Sequence, residues 1–172
     1  MAQALQFLEL ALISGFAALI IGAALSDWAR FLIPNTISIA IVALFVPHAG
    51  IQLLGGASAW TLLWSLAVCL AVFAGGLFLF SYKVLGGGDV KLMAAIGLWA
   101  GTAHVAEFLL ITTFHGGLLS LVFLMPGFRD RAAASGIDTG GGSISKARIP
   151  YGLAIATGAV VVCLRLMFEA RG

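Results

Sequence analysis

Charge in this chain is confined almost entirely to the breaks between long apolar runs. A helix needs about 20 apolar residues to cross a bilayer, and runs of that order fill most of the 172 residues. Only 9% of the chain is charged and 62% is apolar. Soluble domains carry about a quarter charged residues, so there is too little charge here to coat a water-soluble globule. A soluble enzyme and a disordered chain are excluded on that ground. A net charge of +2 gives a polyanion no reason to bind, so no nucleic-acid partner is expected. The expected class is an all-α, polytopic membrane protein in one domain over 1–172, with the lipid bilayer as its main partner.

About six transmembrane helices are expected. They are placed at Leu5 to Leu25, Thr36 to Leu54, Trp60 to Tyr82, Val90 to about His104, Val105 to Met125, and Tyr151 to Phe168. The first run lacks the basic segment that precedes a cleaved signal and is read as a retained span. Seven of the nine basic residues (Arg30, Lys83, Lys91, Arg129, Arg131, Lys146, Arg148) fall in loops on one side of this arrangement. The positive-inside rule then puts loops 26–35, 83–91 and 126–149 in the cytoplasm and both termini outside it. The acids divide the same way. Asp27, Asp89, Asp130 and Asp138 lie on the cytoplasmic side, and Glu9, Glu107 and Glu169 on the other.

Asp27 closes the first span and Asp89 opens the fourth, so the topology lets them meet at one membrane face. As solvated helix-end residues they need no further role. Asp89 would complement a helix N-terminus, and Asp27 could pair with Arg30. Their surroundings suggest more. Leu85-Gly86-Gly87-Gly88-Asp89-Val90-Lys91 strips side chains from the backbone beside a carboxylate, which permits unusual dihedrals and a close approach by another chain. A phosphate-binding loop would need Gly-Lys followed by Ser or Thr, and here an acid follows. Near Asp27, Ile33-Pro34-Asn35 reads as a stop and restart. Pro34 pushes Ile33 out of the helical region, and Asn35 is expected to cap the second span. Two carboxylates facing each other cannot both ionise cheaply, so they share a proton. One then serves as base on a water while the other polarises a carbonyl, and the reaction needs no metal or cofactor.

These residues resemble those of the type IV prepilin leader peptidases. Gly86-Gly87-Gly88-Asp89-Val90-Lys91 is similar to that family's Gly-x-Gly-Asp-x-Lys motif. Asp27 followed by Ile33-Pro34-Asn35 resembles its first aspartate box. Ile149-Pro150-Tyr151-Gly152 resembles the element that opens its last span. The short chain resembles the Flp/Tad (tight adherence) pilus type. The resemblance implies cleavage of a short basic leader from prepilins and pseudopilins at the cytoplasmic face of the bacterial inner membrane, with pilus assembly machinery as a further partner. It implies Asp27 and Asp89 as the catalytic pair, with Gly86, Gly88, Lys91, Ile33, Pro34 and Asn35 shaping the site. Arg30, Pro150, Tyr151 and Gly152 would support it. The sequence departs from many relatives in having Ala29 two residues after Asp27. It also lacks the cysteine-rich zinc element of larger members, since Cys69 and Cys163 fall inside spans. The resemblance therefore leaves their N-methyltransferase activity open.

Two other classes remain open on the residues alone. A presenilin-like intramembrane aspartyl protease shares the Gly-x-Gly-Asp logic, but its usual Tyr-Asp partner is absent. A small transporter or proton relay would use the acids without catalysis, but would be expected to scatter them at depth through the spans. His48, His104 and His115 are not spaced as metal ligands. His115 is expected to hydrogen-bond between helices, and Lys83 to anchor at the surface. Glycine pairs Gly75-Gly76 and Gly116-Gly117 suit close helix packing.

Overall fold

The computed structural model describes residues 2–125 and 151–171, and these are helical apart from short connections. The helices are α1 (Ala2–Arg30), α2 (Asn35–Leu54), α3 (Ala59–Ser81), α4 (Gly87–Leu124) and α5 (Tyr151–Arg171). All five are long and apolar enough to cross a membrane. Many large apolar side chains point outward. Phe7, Leu54, Leu110, Phe114 and Phe168 are each more than 70% exposed, a surface suited to lipid tails. The chain is a multi-pass membrane protein.

The fourth and fifth expected spans are joined in one element. α4 starts at Gly87 rather than Val90, and its one non-helical residue is Gly101 (φ 54, ψ −162). That backbone region is essentially closed to residues with a Cβ, so the turn expected over Gly101 to His104 falls at its first residue, the glycine. The legs on either side of Gly101 run against different helices. A methyl on Gly76 of α3 would meet Val90, one on Gly97 would meet Val72 and Val68, and one on Gly101 would meet Ser65. The first leg is therefore antiparallel to α3. In the second leg His104 reaches Glu169 and Glu107 reaches Arg165, while Gly158 packs on Phe108 and Thr112 and Gly116 on Tyr151. That leg is antiparallel to α5, so the chain turns back at Gly101.

The core lies where α1, α2, the first leg of α4 and α5 meet. Phe16, Ile41, Leu92, Ile96 and Ile155 are fully buried there. The Trp99 ring stacks on Phe16 (centroids 4.4 Å apart) and on His48 (4.6 Å), and its Nε1–H donates to the carbonyl of Ile41 at 3.0 Å. α3 stands outside this core and packs chiefly on α4. At one end of the bundle Gln52 donates to Glu9 at 3.1 Å, and Arg165 makes a two-pronged pair with Glu107. His48, His104 and the three glutamates all lie toward that end. Asp27, Asp89, Lys83 and Lys91 lie toward the other, beside the starts of α2, α4 and α5. Asp130, Asp138 and the basic residues of 126–149 lie outside the described residues.

Two expectations about side chains change. Among the described residues His115 makes no bond between helices; its Nδ1 lies 2.9 Å from the carbonyl of Ile111, one turn earlier in the same helix. Of the glycine pairs, one member of each makes the close contact. A methyl on Gly76 or Gly116 would fall 2.8 Å from a neighbouring side chain, while Gly75 and Gly117 face open space.

Candidate active site

α1 ends one turn after Asp27. Phe31 takes a left-handed conformation (φ 49) and donates its N–H to the Asp27 carbonyl at 2.8 Å. This closes the last turn much as a glycine commonly does. Ser26 Oγ donates to the carbonyl of Leu32 at 2.8 Å, folding the connection back on the helix end. Asp27 stays only 5% exposed. Its Oδ2 accepts the backbone N–H of Gly152 at 2.6 Å. That N–H belongs to the first turn of α5, which has no acceptor inside its own helix. Asp27 thus sits at the positive end of α5.

Asp89 has the same relation to its own helix. It occupies the third position of α4, and its Oδ2 accepts the Gly86 N–H at 3.1 Å. A methyl on Gly86 would lie 2.8 Å from that oxygen, so a side chain there would crowd the carboxylate. Gly88 serves a different purpose. A methyl on it would fall 3.2 Å from Ile33 Cβ and 3.3 Å from the Ile33 carbonyl. Close approach to the buried Ile33 is what Gly88 provides. None of Gly86, Gly87 and Gly88 has a positive φ, so the unusual dihedrals expected of them are not found.

The Ile33-Pro34-Asn35 connection separates α1 from α2 as expected, but Asn35 does not cap. Pro34 holds the cap position with no side-chain bond, and Asn35 is the first helical residue. Its Oδ1 accepts from Lys91 Nζ at 2.9 Å. The connection is therefore clamped to the first turns of α4 twice, by Ile33 on Gly88 and by Asn35 on Lys91. Arg30 is exposed and stands outside the cavities that Asp27 lines, and Asp27 is bonded to Gly152 rather than paired with it. Pro150 lies outside the described residues. Tyr151 packs its ring on Gly116 and places its hydroxyl 3.3 Å from Ser120 Oγ.

Asp27 and Asp89 line the same two cavities and lie near enough for the charge of one to act on the other. The larger, about 760 Å³, is open to the outside and lined by Phe31, Phe80, Ser81, Lys83, Gly86 and Tyr151, among others. The smaller, about 360 Å³, is walled by 31–35 and 86–88. The carboxylates stand between two openings, each with one oxygen fixed by a helix N-terminal N–H. Such an arrangement can hold a water between an acid and a base beside an extended backbone. The far side of the larger cavity, from Phe80 to Leu85, was not anticipated. Lys83, read as an anchor, lines it with a left-handed backbone (φ 59). The supporting role given to Gly152 gains a specific content, since its amide is the donor to Asp27.

A model of the type IV leader peptidase family matches residues 12–121, well over half of the chain. No curated protein and no solved structure matches it.

Proposed function

The chain belongs to the type IV leader peptidase family, and on that premise we propose that it is an aspartic endopeptidase with Asp27 and Asp89 as its catalytic pair. Membership of the family implies prepilin-type substrates. The observation that carries the aspartic reading is the sharing of one cavity by the two carboxylates, each tied through Oδ2 to a backbone N–H. Tied in this way, each keeps its second oxygen for a water or for substrate. One carboxylate takes a proton from the water as its oxygen adds to the scissile carbonyl carbon. The other, protonated, donates to the carbonyl oxygen. The tetrahedral adduct then collapses, the C–N bond breaks, and the leaving nitrogen takes a proton. Gly152, Gly86 and Gly88 position the pair, and the Ile33-Pro34-Asn35 connection with Lys91 holds α4 against it.

The topology goes with this reading as six crossings, counting each leg of α4 separately. Loops 26–35, 83–91 and 126–149 are cytoplasmic, both termini lie outside the cytoplasm, and the membrane is the bacterial inner membrane. The basic residues of those loops support this orientation. We further propose the Flp/Tad type, with pilins, pseudopilins and pilus assembly machinery as partners. The deciding experiment is co-expression with a prepilin. Asp27→Asn and Asp89→Asn should each abolish leader removal while membrane insertion stays intact. Full processing by either variant would remove that residue from the catalytic pair.

A further inference from the structure

The end of the bundle away from the carboxylates holds a second polar recess. It measures about 670 Å³ and is ringed by the start of α1, the α2–α3 connection and the end of α5, with Gln6, Glu9, Gln52 and Glu169 in its wall. A cavity of about 150 Å³ adjoins it, with Gln52, Ala57, Leu166 and Glu169 in the wall of both, and reaches His48, His104 and Trp99. Among the described residues, neither wall contains a lysine or an arginine. Arg165 is close enough for its charge to act on Glu169, but its guanidinium is bonded twice to Glu107.

His48 points to a ligand. Its side chain is only 5% exposed, and among the described residues its Nδ1 has no hydrogen-bond partner. Buried polar atoms are seldom left so. That nitrogen faces Glu9, whose Oε1 lies 3.8 Å away, too far for a hydrogen bond. Glu9 is itself largely buried, with a side chain 18% exposed, and the charge of Glu169 acts on it. Two carboxylates and an unpartnered imidazole nitrogen, from α1, α5 and α2, thus border one recess.

An anion would be repelled by the two glutamates. A bare metal ion needs its donors to close on one point, and among the described residues no three of His, Cys, Asp or Glu do so. A water bridging Glu9 and His48 would leave both carboxylates without a countercharge. A primary ammonium answers all three. It is a cation with three N–H donors and no acceptor, and it reaches more widely set acceptors through hydrogen bonds of about 2.9 Å.

We propose that this recess binds a primary ammonium group, with Glu9, Glu169 and Nδ1 of His48 as its acceptors. The group belongs either to a small soluble amine or to a phospholipid headgroup that carries one. Bound there, it ties α1, α2 and α5 together at the end remote from Asp27 and Asp89. The site stands independently of the leader-peptidase reading.

The probe is ethanolamine, added to the full chain in phosphatidylcholine nanodiscs. Trp99 is the reporter, since its ring stacks on His48, and the other indoles are removed by Trp28→Phe, Trp60→Phe and Trp64→Phe. Ethanolamine should change the Trp99 emission saturably. Choline, whose ammonium has no N–H, should not do so at the same concentrations. Glu9→Gln and His48→Phe should each weaken binding at least tenfold with helix content intact by circular dichroism, and Asp89→Asn, at the other end, should leave binding unchanged. Nanodiscs containing phosphatidylethanolamine separate the two sources. A headgroup occupant raises the apparent Kd for ethanolamine at least tenfold there, whereas a soluble amine binds as it does in phosphatidylcholine. No saturable response, an equal response to choline, or wild-type binding by Glu9→Gln would overturn the proposal.

Discussion

The amide of Gly152 donates to Oδ2 of Asp27 at 2.6 Å, across 125 positions of sequence. The bond ties the start of the last helix to the end of the first. A methyl at Gly152 would lie 2.8 Å from both Cβ and Oδ2 of Asp27, and the Cβ, unlike the carboxylate, cannot swing aside. Gly152→Ala should therefore cost about 1–3 kcal/mol of stability and lower leader cleavage at least a hundredfold. Thermal unfolding in detergent, run beside the cleavage assay, separates the two effects. Near-wild-type cleavage would mean that Asp27 does not depend on this contact.

Gly87 and Gly88 are adjacent and differ sharply in their surroundings. A methyl on Gly87 meets only the Phe80 ring, at 3.6 Å, an ordinary contact, whereas one on Gly88 presses on Ile33. Gly87→Ala should keep cleavage within about threefold of wild type. Gly88→Ala should lower it tenfold or more by lifting the Asp89 turn from the 31–34 connection. The same cleavage assay decides, and equal effects at the two positions would contradict this account.

Lys91 and Asn35 form the second clamp on that turn. If they act through each other, Lys91→Met and Asn35→Ala should each slow cleavage several-fold, and the double variant should be no slower than the worse single one. Fully multiplicative losses in this double-mutant cycle would show that the two residues work separately.

Orientation is tested by fusion reporters. One placed at Gly141 should read cytoplasmic, and one at Gly56, in the α2–α3 connection, external. The reverse result would put the carboxylates on the wrong side of the membrane for a cytoplasmic leader.

The elements that break the apolar pattern were legible in the sequence. Asp27, the Ile-Pro-Asn restart, the Gly-x-Gly-Asp run and Tyr151-Gly152 all stand where a helix starts or stops, and local chemistry marks such places. The facing of the helices was not legible. A helix apolar all round carries no stripe to show which side is inward. Nothing local could therefore reveal that Gly152 meets Asp27, that Asn35 is used by Lys91 rather than by its own helix, or that Phe80 and Lys83 wall the cavity. A turn was expected over Gly101 to His104, but not that Gly101 itself makes it. Its role depends on a backbone conformation that the neighbouring Thr102, Ala103 and His104 do not announce.

That turn has a consequence for the bilayer. From Gly87 to Gly101 the first leg of α4 rises about 21 Å, well short of the 30 Å or so of hydrocarbon. Standing upright, it cannot bring Asp89 at one end and Gly101 at the other both clear of the lipid. The mismatch must be met by a local dent in the membrane or by water drawn in beside the carboxylates. Where the mismatch falls at the carboxylates, the proposed hydrolysis would take place in a recess below the headgroups, and a membrane-held substrate would have less far to be pulled from its lipid to be cut.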